Sequence, residues 1–151
     1  MEIMKEKFEL YTLNISNLWD PVDNKNFWDA DIEIPDICSL YDLHLFIQKI
    51  LNFDNDHLFI FYAGRNDRNR KIQFSGKPGY PDDGGDYENI LLKDIYPLIG
   101  LKLYYLFDLG DNWLFEIRKS RKKATPQENT KYPRVVSDNG VKLRQYIPDD
   151  D

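Results

Sequence analysis

Between Phe27 and Ile34 the chain alternates with a period of two. Trp28, Ala30, Ile32 and Ile34 fall on one side, and Phe27, Asp29, Asp31 and Glu33 on the other. That pattern predicts a half-buried strand with one wet face. Phe8 to Ile15 reads as a strand before it, and the connection carries the turn formers Asp20-Pro21 and Asp23-Asn24. The period changes after Pro35. Ser39-Leu40-Tyr41-Asp42 has the form of a capping box. Behind it, Leu40, Leu43, Phe46, Ile47, Ile50 and Leu51 recur at helical spacing, with Asp42, Gln48 and Lys49 turned away and His44 on the border. Asn52 to Asp56 ends the helix. His57 to Tyr62 follows as a strand apolar on both faces, which belongs inside a sheet or under cover on each side.

Lys71 to Phe74 predicts a short strand after the basic loop 65–71, and 76–85 a long loop rich in glycine and proline. Ile90-Leu91-Leu92 with Ile95 predicts a helical turn. Two apolar runs, Leu101–Phe107 and Trp113–Ile117, flank Asp108-Leu109-Gly110-Asp111-Asn112, a hairpin whose turn invites a positive φ at Gly110. The order predicts an α+β single domain: a β-grasp-like mixed sheet with one main helix on a face, extended by the C-terminal hairpin and an arm. Residues 1–123 form the sheet domain and 124–151 an extended, partly ordered arm. Trp28, Leu43, Phe46, Ile47, Ile50, Leu58, Ile60, Leu103 and Trp113 are the expected core.

Composition narrows the class. The 151 residues are 42% hydrophobic and 15% aromatic, too apolar for disorder and suited to strands. A formal net charge of −6 repels phosphate backbones from the molecule as a whole. No apolar stretch approaches the ~20 residues of a membrane span, and the first residues lack the apolar run of a signal peptide. The lone cysteine, Cys38, has no intrachain partner. A cytoplasmic protein with no membrane contact is expected, with Cys38 as an inert core thiol.

Candidate chemistry is sparse. Asp108 and Asp111, beside Trp113, can hold a hard cation or act as acid and base; the alternative is that they bond the turn's own N–H groups. His44 with Gln48, and His57, can meet as a small polar site, or be border histidines satisfied by backbone. Asp82-Asp83-Gly84-Gly85-Asp86 lacks calcium-loop spacing, and two histidines with one cysteine cannot make an ordinary structural zinc site without carboxylates. No metal or cofactor is therefore expected. Arg118, Lys119, Arg121, Lys122, Lys123 and Arg134, with Tyr132 to stack on a base, can contact nucleic acid, or simply solvate an edge. The same basic arm can dock on the acidic residues Asp29, Asp31, Glu33 and Asp36 of a neighbouring copy.

Leu40-Tyr41-Asp42-Leu43-His44-Leu45-Phe46-Ile47-Gln48, followed by Phe53-Asp54-Asn55-Asp56-His57-Leu58, resembles the helix and next strand of the plasmid Ri ORF-three-like proteins. Phe107-Asp108-Leu109-Gly110-Asp111-Asn112-Trp113 resembles that family's hairpin, and Tyr132-Pro133-Arg134-Val135-Val136 with Gln145-Tyr146-Ile147-Pro148 its C-terminal arm. The resemblance implies a protein of plasmids and insertion elements or a stand-alone bacterial or archaeal one, some relatives carrying a resolvase-like label, with no established cofactor or reaction. Two departures weaken a catalytic reading. Phe115 stands where the family often has a histidine, and a cysteine- and proline-rich acidic segment is missing. A non-catalytic accessory module with a protein partner, or one that self-associates, is the expectation. A nucleic-acid-binding module comes second and a metal-dependent hydrolase at Asp108/Asp111 third.

Overall fold

The computed structural model describes residues 7–22, 25–74 and 87–145. The first residues, Asp23-Asn24, the 76–85 loop with its acidic run to Asp86, and Tyr146-Ile147-Pro148 lie outside them. Strands β1 (Leu10–Trp19) and β2 (Trp28–Pro35) lead into helix α1 (Leu40–Leu51). Then come β3 (Phe59–Gly64), β4 (Ile72–Gln73), a single 3-10 turn at Tyr87–Asn89 and the short α2 (Leu92–Ile95). The hairpin strands β5 (Lys102–Phe107) and β6 (Trp113–Lys119) follow, and β7 (Arg134–Gly140) comes last.

The α+β class and the one main helix stand as expected, but the sheet is not mixed. Its seven strands run in the order β4-β3-β5-β6-β1-β2-β7, and every pairing is antiparallel. The reason lies in the reach of the α1 crossover, which sets β3 down four places from β2. Strands β5, β6 and β1 fill the gap, so the two like-directed strands never become neighbours. The Trp113 hairpin is accordingly the centre of the sheet and not an extension of it.

Helix α1 begins as predicted: Ser39 accepts the Asp42 N–H at 3.0 Å while the Asp42 carboxylate accepts the Ser39 N–H at 2.9 Å. It ends at Asn52, whose φ of 56° gives a left-handed cap. The buried face, however, is Leu40, Leu43, His44, Ile47, Gln48 and Leu51. Gln48 and His44 lie within the stripe, and Phe46 and Ile50 are only half-buried at its flank.

Alternation along β2 holds throughout, with Trp28, Ala30, Ile32 and Ile34 buried under the helix side. The opposite face is built in cross-strand rows. One runs Ile60, Leu106, Leu114, Trp19; the next runs Tyr62, Tyr104, Glu116, Ser16. Ile60, Tyr62, Tyr104 and Leu106 form a second, smaller apolar cluster there. Leu58, expected in the core, is 44% exposed: β3 starts one residue later, and by alternation Leu58 belongs to this uncovered face. Leu18 and Trp19 are similarly open.

The segment after Lys123 does more than trail away. Residues 134–140 pair with β2 as an edge strand. Arg134 Nε lies 2.6 Å from Glu33, Ser137 Oγ donates to Asp31 at 3.1 Å, and Trp28 Nε1 donates to Asp138 at 2.8 Å. The acidic strand thus receives the arm of its own chain. At Gly140, where φ is 94°, a Cβ would come within 2.3 Å of the Phe27 carbonyl oxygen, so only glycine fits that crossing.

Candidate functional site

A buried cluster of polar side chains sits where α1 meets β5. Tyr105 Oη is 2.6 Å from His44 Nδ1 and accepts the Gln48 side-chain N–H at 3.0 Å. His44 Nε2 lies 2.6 Å from Asn55 Oδ1, and Gln48 Oε1 accepts the Asn55 backbone N–H at 3.0 Å. Donor logic fixes the tautomer. A carboxamide oxygen only accepts, so His44 Nε2 carries the hydrogen and Nδ1 accepts from Tyr105. Burial holds His44 neutral, bringing its pKa down to about 4, and pushes the Tyr105 phenol well above its usual range. The imidazole stacks on Phe59, centroids 3.6 Å apart. A buried ring with both nitrogens bonded and one face stacked on Phe59 is a structural clamp. It ties the 52–58 loop to helix and sheet.

The hairpin places Asp108 at 7% exposure with φ 62°. Its Oδ1 accepts the N–H groups of Gly110 and Asp111 at 3.1 and 3.2 Å, and its backbone N–H extends the ladder to the Leu58 carbonyl at 2.9 Å. The positive φ values fall on Asp108 and Asn112, not on Gly110. Because Asp108 bonds its own turn, the left-handed positions come at the two ends of the loop, and aspartate and asparagine tolerate them. Asp111 is exposed and contributes its N–H to the turn.

His57 stands beside this carboxylate, Nε2 3.4 Å from Asp108 Oδ2 and 3.6 Å from Asp56 Oδ1. His44 and His57 both pack on Phe107, at 6.3 and 5.9 Å, but His44 bonds to Tyr105 and Asn55 while His57 lies on the aspartates. Tyr41, Asn55, Asp56 and His57 border an open depression of about 410 Å³. Among the described residues no three of His, Cys, Asp and Glu gather closely enough to hold a metal. Trp113 is fully buried against Phe53, centroids 4.9 Å apart, with its Nε1 lacking a partner among the described residues.

The basic interval is a mosaic. Arg118 pairs with Glu116 at 2.9 Å, Lys123 with Glu9 at 3.0 Å, and Arg134 with Glu33. Lys119 places its ammonium 4.6 Å from the centroid of Tyr11. Tyr132 is half-buried and its hydroxyl accepts the Gln127 N–H at 3.0 Å. Arg121 and Lys122 are exposed. Burial raises the Cys38 thiol to about 11, so it is protonated and unreactive near neutral pH.

Three residues of the clamp escaped the sequence reading. Tyr105 looked like one more apolar strand residue. Asn55 looked like a helix stop. Gln145 is buried near the end of the described chain and grips the same loop, accepting the Asp54 N–H at 2.6 Å and donating to Asp56 at 2.7 Å. The one signal available was that glutamine and histidine repeat at helical spacing inside an apolar stripe.

Comparison with known proteins bears on most of the chain. A family model described as "Plasmid pRiA4b ORF-3-like protein" matches residues 25–149. No curated protein sequence matches the chain. Among solved structures, the protein of unknown function MM3350 from Methanosarcina mazei Go1 is similar, with a TM-score of 0.66 and 20% identity over 88% of this chain and 70% of that one. At that identity the likeness is one of fold.

Proposed function

The chain belongs to the plasmid pRiA4b ORF-3-like family, within which we propose that this member acts by binding, as a non-catalytic accessory module linked to mobile genetic elements. One observation carries the reading: both ring nitrogens of His44, the Tyr105 hydroxyl and Oδ1 of Asp108 are engaged in holding a loop and a turn, and the second Asp108 oxygen lies against His57. What remains open is surface. Trp19 and Leu58, both over 40% exposed beside the Leu106 and Leu114 row, offer an apolar patch suited to a protein partner. A cytoplasmic location fits the protonated, half-buried Cys38, and no described helix is long and apolar enough to cross a membrane.

The test is calorimetry of chelator-treated protein with Mg²⁺, Mn²⁺ and Zn²⁺, paired with ester and phosphodiester substrates. The expected result is neither stoichiometric metal binding nor turnover. Tight binding that disappears in Asp111→Asn, with turnover lost alongside, would overturn the reading in favour of a metal-dependent hydrolase.

A second reading, nucleic-acid binding, draws support from Arg121 and Lys122, which have no carboxylate partner among the described residues. The paired neighbours on either side argue for weak contact, no tighter than roughly micromolar at physiological salt. Salt-sensitive nanomolar binding to a defined oligonucleotide, abolished by reversing Arg121, Lys122 and Lys123 to Glu, would promote this reading to first.

A further inference from the structure

We infer that the cleft at the end of the β5–β6 pair, opposite the Asp108–Asn112 turn, is a binding site for a small organic anion. The ligand class is a single carboxylate or phosphate head on an apolar or aromatic body. The cleft measures about 570 Å³, within the size range of small-molecule sites. Its floor is the cross-strand pair Leu103 and Ile117, and Leu98 and Leu101 wall it from the preceding loop. An apolar body has a surface to bury against.

The rim is cationic. Lys102, Arg118, Lys119 and Arg121 all border the cleft; Lys102 at 3.3 Å and Arg118 at 2.9 Å are tied to Glu116 on the other face of the sheet, which leaves Lys119 and Arg121 for the cleft. Lys119 and Arg121 have no carboxylate partner among the described residues. Lys119 is held in position by aromatic contact, its ammonium over Tyr11 and 6.0 Å from the centroid of Tyr96. Tyr96 also lines the cleft, and its hydroxyl is buried without a hydrogen-bond partner among the described residues.

Lys119 and Arg121 beside an apolar floor run against the average of a chain with formal net charge −6. That contrast also selects ligand size. A small anion feels the local rim, whereas a long phosphate backbone would meet the acidic remainder of the surface.

The test uses the full chain, titrated by calorimetry and amide NMR with octanoate and with adenosine monophosphate, the two sources of such a ligand. Inorganic phosphate supplies the head alone, octanol the body alone, and a ten-residue oligothymidine the polyanion. The expected result is one-to-one binding of octanoate, of adenosine monophosphate or of both, with shifts confined to 96–103 and 117–121. Lys119→Gln/Arg121→Gln should weaken it about tenfold or more, the scale of a lost charge-assisted contact. Lys122→Gln/Lys123→Gln, the same charge change outside the cleft, should leave it unaltered, and both doubles should keep the wild-type amide spectrum elsewhere. Failure of both organic anions to bind would overturn the proposal. So would equal weakening by the two doubles, or phosphate alone binding as well as the organic anions. An oligothymidine preferred over every small anion would overturn it in favour of nucleic acid.

Discussion

Tyr105 and Tyr96 carry the same phenol in opposite surroundings. Tyr105 donates to His44 and accepts from Gln48, whereas the Tyr96 hydroxyl is buried with no partner among the described residues. Tyr105→Phe strands two polar groups and should cost about 1–3 kcal/mol, while Tyr96→Phe should change stability by under about 0.5 kcal/mol or raise it. Urea midpoints decide; equal losses in the two would show that the clamp holds nothing. His44 makes its own prediction. Its folded pKa is lowered from 6.5 to about 4, so between those values the unfolded chain binds a proton that the native protein refuses. Stability is therefore full above pH 6.5 and falls as pH drops toward 4, by up to about 3 kcal/mol. His44→Gln should be less stable at pH 7 yet lose that component of the slope. An unchanged slope would mean that other groups carry the acid sensitivity.

At the scale of the element, α1 is a stripe rotated from where its apolar residues alone would set it. Ile47→Ala should cost about 2–5 kcal/mol, and Phe46→Ala, half-buried on the flank, only about 1–2 kcal/mol. A larger loss at Phe46 would return the core to the apolar pattern. The hairpin makes a parallel case. Gly110 lacks a positive φ, and an added Cβ would meet only the Asp108 carboxylate at 3.4 Å. Gly110→Ala should therefore cost under about 0.5 kcal/mol, against about 1–2 kcal/mol for Asp108→Ala, which loses both turn bonds. A loss at Gly110 matching that at Asp108 would restore a strained glycine to the turn. What was legible in the sequence was local: the Ser39–Asp42 box, the alternation of β2 and the existence of the hairpin each depend on residues a few positions apart. What was not legible depends on distant partners. Gln48 looks solvent-facing until Tyr105, 57 residues away, is placed above it. The exposed row of β7 carries no apolar period, because an edge strand draws its hydrogen bonds from a neighbour and buries little of its own surface.

The molecule as a whole is a sheet closed on its acidic side by its own tail. Ending the chain at Lys123 removes β7, the core residue Leu143 and the Gln145 grip on the 52–58 loop. We expect at least about 3 kcal/mol of lost stability and a tendency to associate through the bared edge of β2. A monomeric truncation with an unchanged melting midpoint would mean that 124–151 is a dispensable arm. The position of β7 also sets a timetable. Ribosomes deliver β2 about a hundred residues before the strand that covers it, so for most of synthesis its outer edge faces a crowded cell as bare backbone. Asp29, Asp31 and Glu33 line one face of that waiting strand. Before Arg134 and Ser137 arrive to engage them, these charges repel an identical strand on a neighbouring nascent chain. The residues that later fasten the tail guard its berth in the meantime.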